Sequence, residues 1–237
     1  MQRRQFNQAS ISVMGALILA IHQQAYALSL GDLSGISNQD ASTGLKAVLE
    51  KSAVAAIALL GKPDGFLSNP KIRIPLPGYL ETASGLLRNF GQGQRIDELV
   101  TAINRAAEAA IPMGQDLLIN VVRSMNIKDA KNILTGGESS VTSFFVDKAR
   151  APLGVKFLPI VTKATEKVGL ASKYNEFAGK AASFGLVKKE DANIQQYVTG
   201  KALDGLFAVI GDEEKKIRQD PVRTGSEILM KVFGSRK

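Results

Sequence analysis

The sequence predicts an all-α protein, a single irregular multi-helix domain interrupted by one Pro-rich extended loop. Three observations predict it. Apolar residues recur at threes and fours in segment after segment, which gathers them on one face of a helix. No stretch sustains the every-second-residue alternation of a half-buried strand. Four of the eight prolines, Pro63, Pro70, Pro75 and Pro77, fall in one short segment. There the missing N–H donors, and the extended bias each proline imposes on its predecessor, exclude helix.

Residues 1–27 read as an export signal and residues 28–237 as the helical domain. Arg3-Arg4-Gln5-Phe6 is similar to the core of a twin-arginine signal. The apolar stretch Ile11 to Ile21 is too short to span a bilayer of about 30 Å. Ala25-Tyr26-Ala27 then supplies the small residues a signal peptidase reads, predicting cleavage after Ala27 and a periplasmic address. Asn7-Gln8 and the diluting Ser10, Ser12 and Gly15 keep the general secretory route open.

The first helix carries Leu45, Val48, Leu49, Ala53, Ala56, Ile57 and Leu60 on one face, with Asp40, Ser42 and Thr43 as candidate N-caps. Gly61-Lys62-Pro63 stops it. From Gly61 to Gly78 the chain reads as an ordered crossing loop, stiff and packed on helices, and Lys71-Ile72-Arg73-Ile74 alternates charge and hydrophobe within it. Helical spacing resumes at Leu80, Leu86, Leu87 and Phe90 and breaks at Gly91-Gln92-Gly93. The next helix, with Ile96, Leu99, Val100, Ile103, Ala107 and Ala110, ends near Pro112. Leu117, Leu118, Val121, Val122 and Met125 form another face. Asn126 is placed to cap a short helix closed by Gly136-Gly137. Ser139 or Ser140 caps the one that follows, which Pro159 is expected to kink or split. A weaker helix holds Tyr174 and Phe177, a long one runs from about Ile194 to Ile217, and Asp220-Pro221 opens a terminal helix with Ile228, Leu229, Val232 and Phe233.

Composition narrows the chemistry. There is no cysteine, and the one histidine, His22, lies in the leader. The helical domain therefore has no disulfide, thiolate or imidazole, and no zinc, copper or haem site built on them. Carboxylate, Lys, Tyr and Ser/Thr chemistry remains. No cofactor and no catalytic or metal-ligating set is expected. The leader holds two arginines and no acid, so of the formal +8 the domain keeps +6. That excess suits anionic partners in general, but no module specific for nucleic acid is present.

Three stretches are candidate sites. Asn104, Arg105 and Glu108 share one side of a helix at spacings of three and four. They read either as a buried polar cluster facing a ligand or as an exposed pair worth under about 1 kcal/mol. Asp204 and Gly205 interrupt an apolar helix, where a glycine costs about 1 kcal/mol against alanine and so implies close packing or a smooth wall beside a bound molecule. Asp204 is free to pair with Arg73 of the loop or with Arg105. Glu213, Glu214, Lys215 and Arg218 form a charged surface with the favourable Glu214 to Arg218 spacing.

Several of these stretches resemble the domain-of-unknown-function family 4197. They are Gly61 to Pro70, Ile72 to Gly78, Asn104 to Ala110, Asp129 to Gly137, Ala202 to Phe207 and Glu213 to Arg218, in the family's order. Lys71 and Tyr79 are variations within the matched loop. The resemblance implies a predominantly helical, commonly exported protein, with no activity or catalytic residues to carry over. The function expected is a non-catalytic periplasmic module that binds an apolar or lipid-like molecule or a membrane surface. The alternatives are a protein-interaction module using Arg73 or the Glu213–Arg218 surface, and an enzyme using Glu108 and Asp204 as acid and base.

Overall fold

The computed structural model describes residues 38–137, 139–167, 169–183, 185 and 192–220. The leader and the helix expected after Asp220-Pro221 lie outside the described residues. The elements are α1 (Asn38–Leu60), α2 (Gly78–Leu87), α3 (Gly93–Ala110), α4 (Gln115–Arg123), α5 (Ile127–Thr135), α6 (Ser140–Thr165), α7 (Gly169–Ser183) and α8 (Ile194–Gln219). A π-helical turn, Arg88–Gln92, joins α2 to α3, and a 3-10 turn, Ile111–Gly114, joins α3 to α4. Among the described residues there is no strand.

The apolar faces read from the spacing are the faces that are buried. Leu45, Val48, Leu49, Ala53 and Ala56 of α1 are fully buried. So are Leu99 and Ile103 of α3, Leu118 and Val122 of α4, and Phe145, Leu153, Phe157 and Val161 of α6. Each large side chain of this kind stabilises the fold by about 1.5–3 kcal/mol. Helices α6 and α8 lie antiparallel at the centre, with α1 and α3 packed along them. Phe145 bridges α6 and α8 by stacking on Phe207 at 6.2 Å between ring centroids, while Phe144 meets Phe145 edge-on.

Capping follows the sequence in places and departs from it in others. Asn126 closes a capping box with Asp129: its Oδ1 accepts from Asp129 N at 2.8 Å and its own N donates back to the Asp129 carboxylate. At α1 the helix starts earlier than expected, so Asp40, Ser42 and Thr43 are inside it. Thr43 Oγ1 donates to the Gln39 carbonyl a turn behind, and Ser42 is buried, so neither is placed to cap. Neither Ser139 nor Ser140 caps α6; Ser140 Oγ instead donates to the carbonyl of Ile133 in α5.

Pro159 does not split the helix, and α6 runs continuously through Pro152 and Pro159. Both prolines are exposed. The carbonyls four residues back, of Lys148 and Val155, lose their helix donors on the exposed side of the helix, where the cost is lower than in the core. The opposite face keeps its buried stripe. Burial of Phe145, Leu153 and Phe157 offsets a cost of about 3 kcal/mol for each interior proline.

A second departure concerns α2. Its spacing gathers Leu80, Leu86, Leu87 and Phe90, yet only Leu80 is buried; Leu86 is 62% exposed and Phe90 72% exposed. The π turn carries Phe90 away from the core, and Gly91 takes φ 74° to let the chain swing into α3.

Candidate functional site

The loop between α1 and α2 organises the polar residues that the sequence singles out. It leaves α1 through Gly61, folds back on itself to Ile72, and runs extended through Arg73 to Pro77. Within it Asp64 adopts φ 67°, a left-handed conformation tolerated by Asp better than by most residues. Gly65 follows because a Cβ there would sit 2.5 Å from the Leu60 carbonyl oxygen. The Pro63-Asp64-Gly65 run is thus a tight turn folded against the end of α1. Beyond it Phe66, Ile74 and Leu76 point inward and are buried, whereas Lys71, Arg73 and Pro75 are exposed.

Helix α3 holds this loop by its backbone. The Glu108 carboxylate is buried, with 5% of its side chain exposed. Its Oε1 accepts from the N–H groups of Phe66 at 3.0 Å and Leu67 at 3.1 Å. Its Oε2 accepts from Arg105 Nη1 at 2.7 Å, and Arg105 Nη2 reaches on to Asp64 Oδ1 at 2.8 Å. One turn earlier, Asn104 reads both backbone groups of one residue: Oδ1 accepts from Ile74 N, and Nδ2 donates to Ile74 O, each at 2.9 Å. The same Nδ2 also donates to Val100 O at 2.8 Å, so both amide hydrogens of this buried side chain are used. Helix α8 supplies the opposite jaw. Tyr197 donates its hydroxyl to Pro75 O at 3.2 Å, and Gly205 lets Phe66 approach so closely that a Cβ would lie 2.8 Å from the ring.

Electrostatics follow from these contacts. The Glu108 carboxylate first, and Asp64 after it, hold the Arg105 guanidinium above its ordinary pKa against the opposing cost of partial desolvation. At the far end of α3, Arg88 forks onto Asp97 with both terminal nitrogens. That bond, joined by the more distant charge of Arg73, keeps the Asp97 carboxyl below its usual value, and Asp97 in turn raises Arg88.

Asn104, Arg105 and Glu108 therefore meet as a cluster, and their partner is the loop of the same chain. The exposed-pair reading of Arg105 and Glu108 is corrected, because Glu108 is buried and doubly bonded to backbone. Arg73 stands outside the cluster, exposed, with its charge near Asp97. Asp204 pairs with neither Arg73 nor Arg105 but with Arg150 of α6, Nη1 to Oδ1 at 2.7 Å. No hydrogen bond or ion pair joins Asp204 to Glu108. In the charged run Glu213 binds Lys216 at 2.6 Å, Lys215 is exposed, and Glu214 is buried rather than solvated. The side chain of Arg218 lies outside the described residues. Lys71 of the loop reaches Asp212 of α8 at 3.8 Å.

Sequence reasoning missed Asp64, Tyr197 and Arg150. Only Asp64 had a local signal, in the Pro-Asp-Gly turn. Among the described residues, two of the depressions are open to solvent. One of about 350 Å³ lies between the loop and α8, beside Leu59, Lys62, Asn69 and Val209. The other, of about 740 Å³, runs along the outer face of α3 at Gln94, Asp97, Glu98 and Ala102. Among the described residues no group of three acids or histidines is placed to hold a metal ion, and no helix is long and apolar enough to cross a membrane. A family model described as a protein of unknown function, DUF4197, matches residues 35–234. No curated protein and no solved structure matches.

Proposed function

The chain belongs to the DUF4197 family, and from that premise we propose that it is a non-catalytic, exported module that binds a membrane surface from outside rather than enclosing a ligand. The polar cluster on α3 is occupied by the loop, and the glycines of the central helices admit side chains of the same chain. Binding then falls to the exterior. The observation that carries the reading is Leu86 and Phe90, one helical turn apart and 62% and 72% exposed where α2 turns into α3. Each is a large apolar side chain left mostly in water, and a membrane interface would bury it.

The magnitude indicates a reversible contact. Burying the exposed parts of these two residues is worth roughly 3 kcal/mol together, about a hundredfold in partitioning. That is less than the roughly 5.5 kcal/mol of a single lipid anchor, itself only marginal, so the contact is weak and reversible. The protein recovered after export should sediment with neutral phosphatidylcholine vesicles. The Leu86→Ser, Phe90→Ser double variant should lose about two orders of magnitude in partitioning. Unchanged sedimentation of the double variant would remove the reading. Its address rests on the leader: replacing Arg3 and Arg4 by Lys should hold the protein in the cytoplasm, and undiminished periplasmic yield would reject the twin-arginine route.

A further inference from the structure

The outer face of α6 is a cationic stripe. Lys148, Pro152, Val155, Lys156, Pro159 and Lys163 fall within about 100° of one another around the helix and all are exposed, Val155 by 77%. Among the described residues no ion pair engages Lys148, Lys156 or Lys163. Asp147 lies off the edge of the stripe and Glu166 closes its C-terminal end, so no acid interrupts it between Lys148 and Lys163. The three ammonium groups are spaced by about two helical turns each, over roughly 22 Å of an unbroken helix.

Resting on the membrane reading above, we infer that this face is a docking surface for anionic lipid headgroups. Charge complementarity selects an anionic partner, and the spread of the lysines along one continuous helix selects an extended one. The residues between the lysines choose a membrane over a hydrated polyanion. Val155 and the two proline rings are apolar and stand at the same level as the ammonium stems, where headgroup and acyl regions meet. The carbonyls of Lys148 and Val155, left without helix donors by Pro152 and Pro159, require water. They hold the helix at the hydrated headgroup level and out of the hydrocarbon.

A lysine beside an anionic bilayer strengthens binding about fivefold, so three together should contribute about a hundredfold. The test compares the exported protein with a Lys148→Gln, Lys156→Gln, Lys163→Gln variant and with a charge-matched control, Lys62→Gln, Lys128→Gln, Lys131→Gln. Binding is measured on vesicles of equal parts phosphatidylglycerol and phosphatidylcholine, on phosphatidylcholine alone, and on polyphosphate. The stripe variant should lose about a hundredfold on the anionic vesicles and little on the neutral ones, and the control should keep most of its binding. All six lysines are exposed, so each variant should show the wild-type thermal transition. Equal loss in the control would assign the effect to net charge and overturn the inference. Wild-type binding by the stripe variant would overturn it while leaving the membrane reading in place. No binding of the wild type to any vesicle would end both, as would lysine-dependent binding to polyphosphate alone.

Discussion

Replacing Asn104 by Ala removes the amide that holds Ile74 by both its backbone groups. The Ile74 N–H and C=O then lie in a region where the residue is 1% exposed, with no water to replace the lost partner. An unsatisfied buried backbone group costs about 1–3 kcal/mol, so two give roughly 2–6 kcal/mol. The third bond, to Val100 O, adds little, because that carbonyl also accepts the helical N–H of Asn104. In a domain of this size 1 kcal/mol moves the melting temperature by about 2–4 °C, so Asn104→Ala should melt roughly 4–24 °C below wild type. Hydrogen exchange locates the effect: the amide of Ile74 should lose protection more than those of Leu99 or Ile103 on the same helix's buried face. Asn104→Asp is the sharper variant, since a carboxylate still accepts from Ile74 N but faces Ile74 O without a donor. It should cost at least as much as Ala, whereas a ligand-facing amide would leave stability nearly unmoved by either change. A loss under about 1 kcal/mol for both variants, with Ile74 still protected, would refute the clamp.

The helical glycines of α8 should divide by sign. Gly205→Ala places a methyl 2.8 Å from the Phe66 ring and should destabilise by about 1–2 kcal/mol after its gain in helix propensity, with relief on adding Phe66→Leu. Gly200→Ala meets nothing nearer than the Arg150 guanidinium at 3.9 Å and should stabilise by up to about 1 kcal/mol; chemical denaturation reads both. Asp97 should titrate below the ordinary aspartate midpoint by NMR and return toward it in Arg88→Gln. Because its folded pKa is depressed, the pair's contribution to stability is present above the unfolded value near 3.8 and is lost as pH falls through the folded one. An unshifted midpoint in the wild type would contradict the fork geometry.

Much of the fold was legible because helices announce themselves locally. The Asn126 capping box needs only residues three apart, and the face of α1 needs only its own spacing. What was illegible depends on distant residues. Glu108 binds backbone 41 and 42 positions away, and Asp204 finds Arg150 at a separation of 54, and no periodicity encodes such meetings. Leu86 and Phe90 show the limit from the other side: their spacing is that of a buried face, yet both are exposed, Leu86 within α2 and Phe90 in the π turn that follows it. Pro159 was misjudged for a related reason. Sequence supplies the cost of a helical proline but not which way it faces, and an exposed carbonyl loses its donor at lower cost than a buried one.

The loop explains why the most conspicuous polar residues leave so little for chemistry. A segment with four prolines cannot satisfy its own backbone as a helix would, yet Phe66, Ile74 and Leu76 draw it into the core. Its buried N–H and C=O groups then need side-chain partners, and Glu108, Asn104 and Tyr197 supply them from two helices. An acid that accepts two N–H groups and a guanidinium has three of its roughly four lone-pair positions taken by its own chain. The groups left uncommitted are on the surface: two apolar side chains at the α2 to α3 turn, and lysines along α6. Both kinds are suited to adhesion and neither to bond-breaking. The division between an inward-looking polar cluster and an outward-looking adhesive surface is the physical reason to test this chain for membranes before substrates.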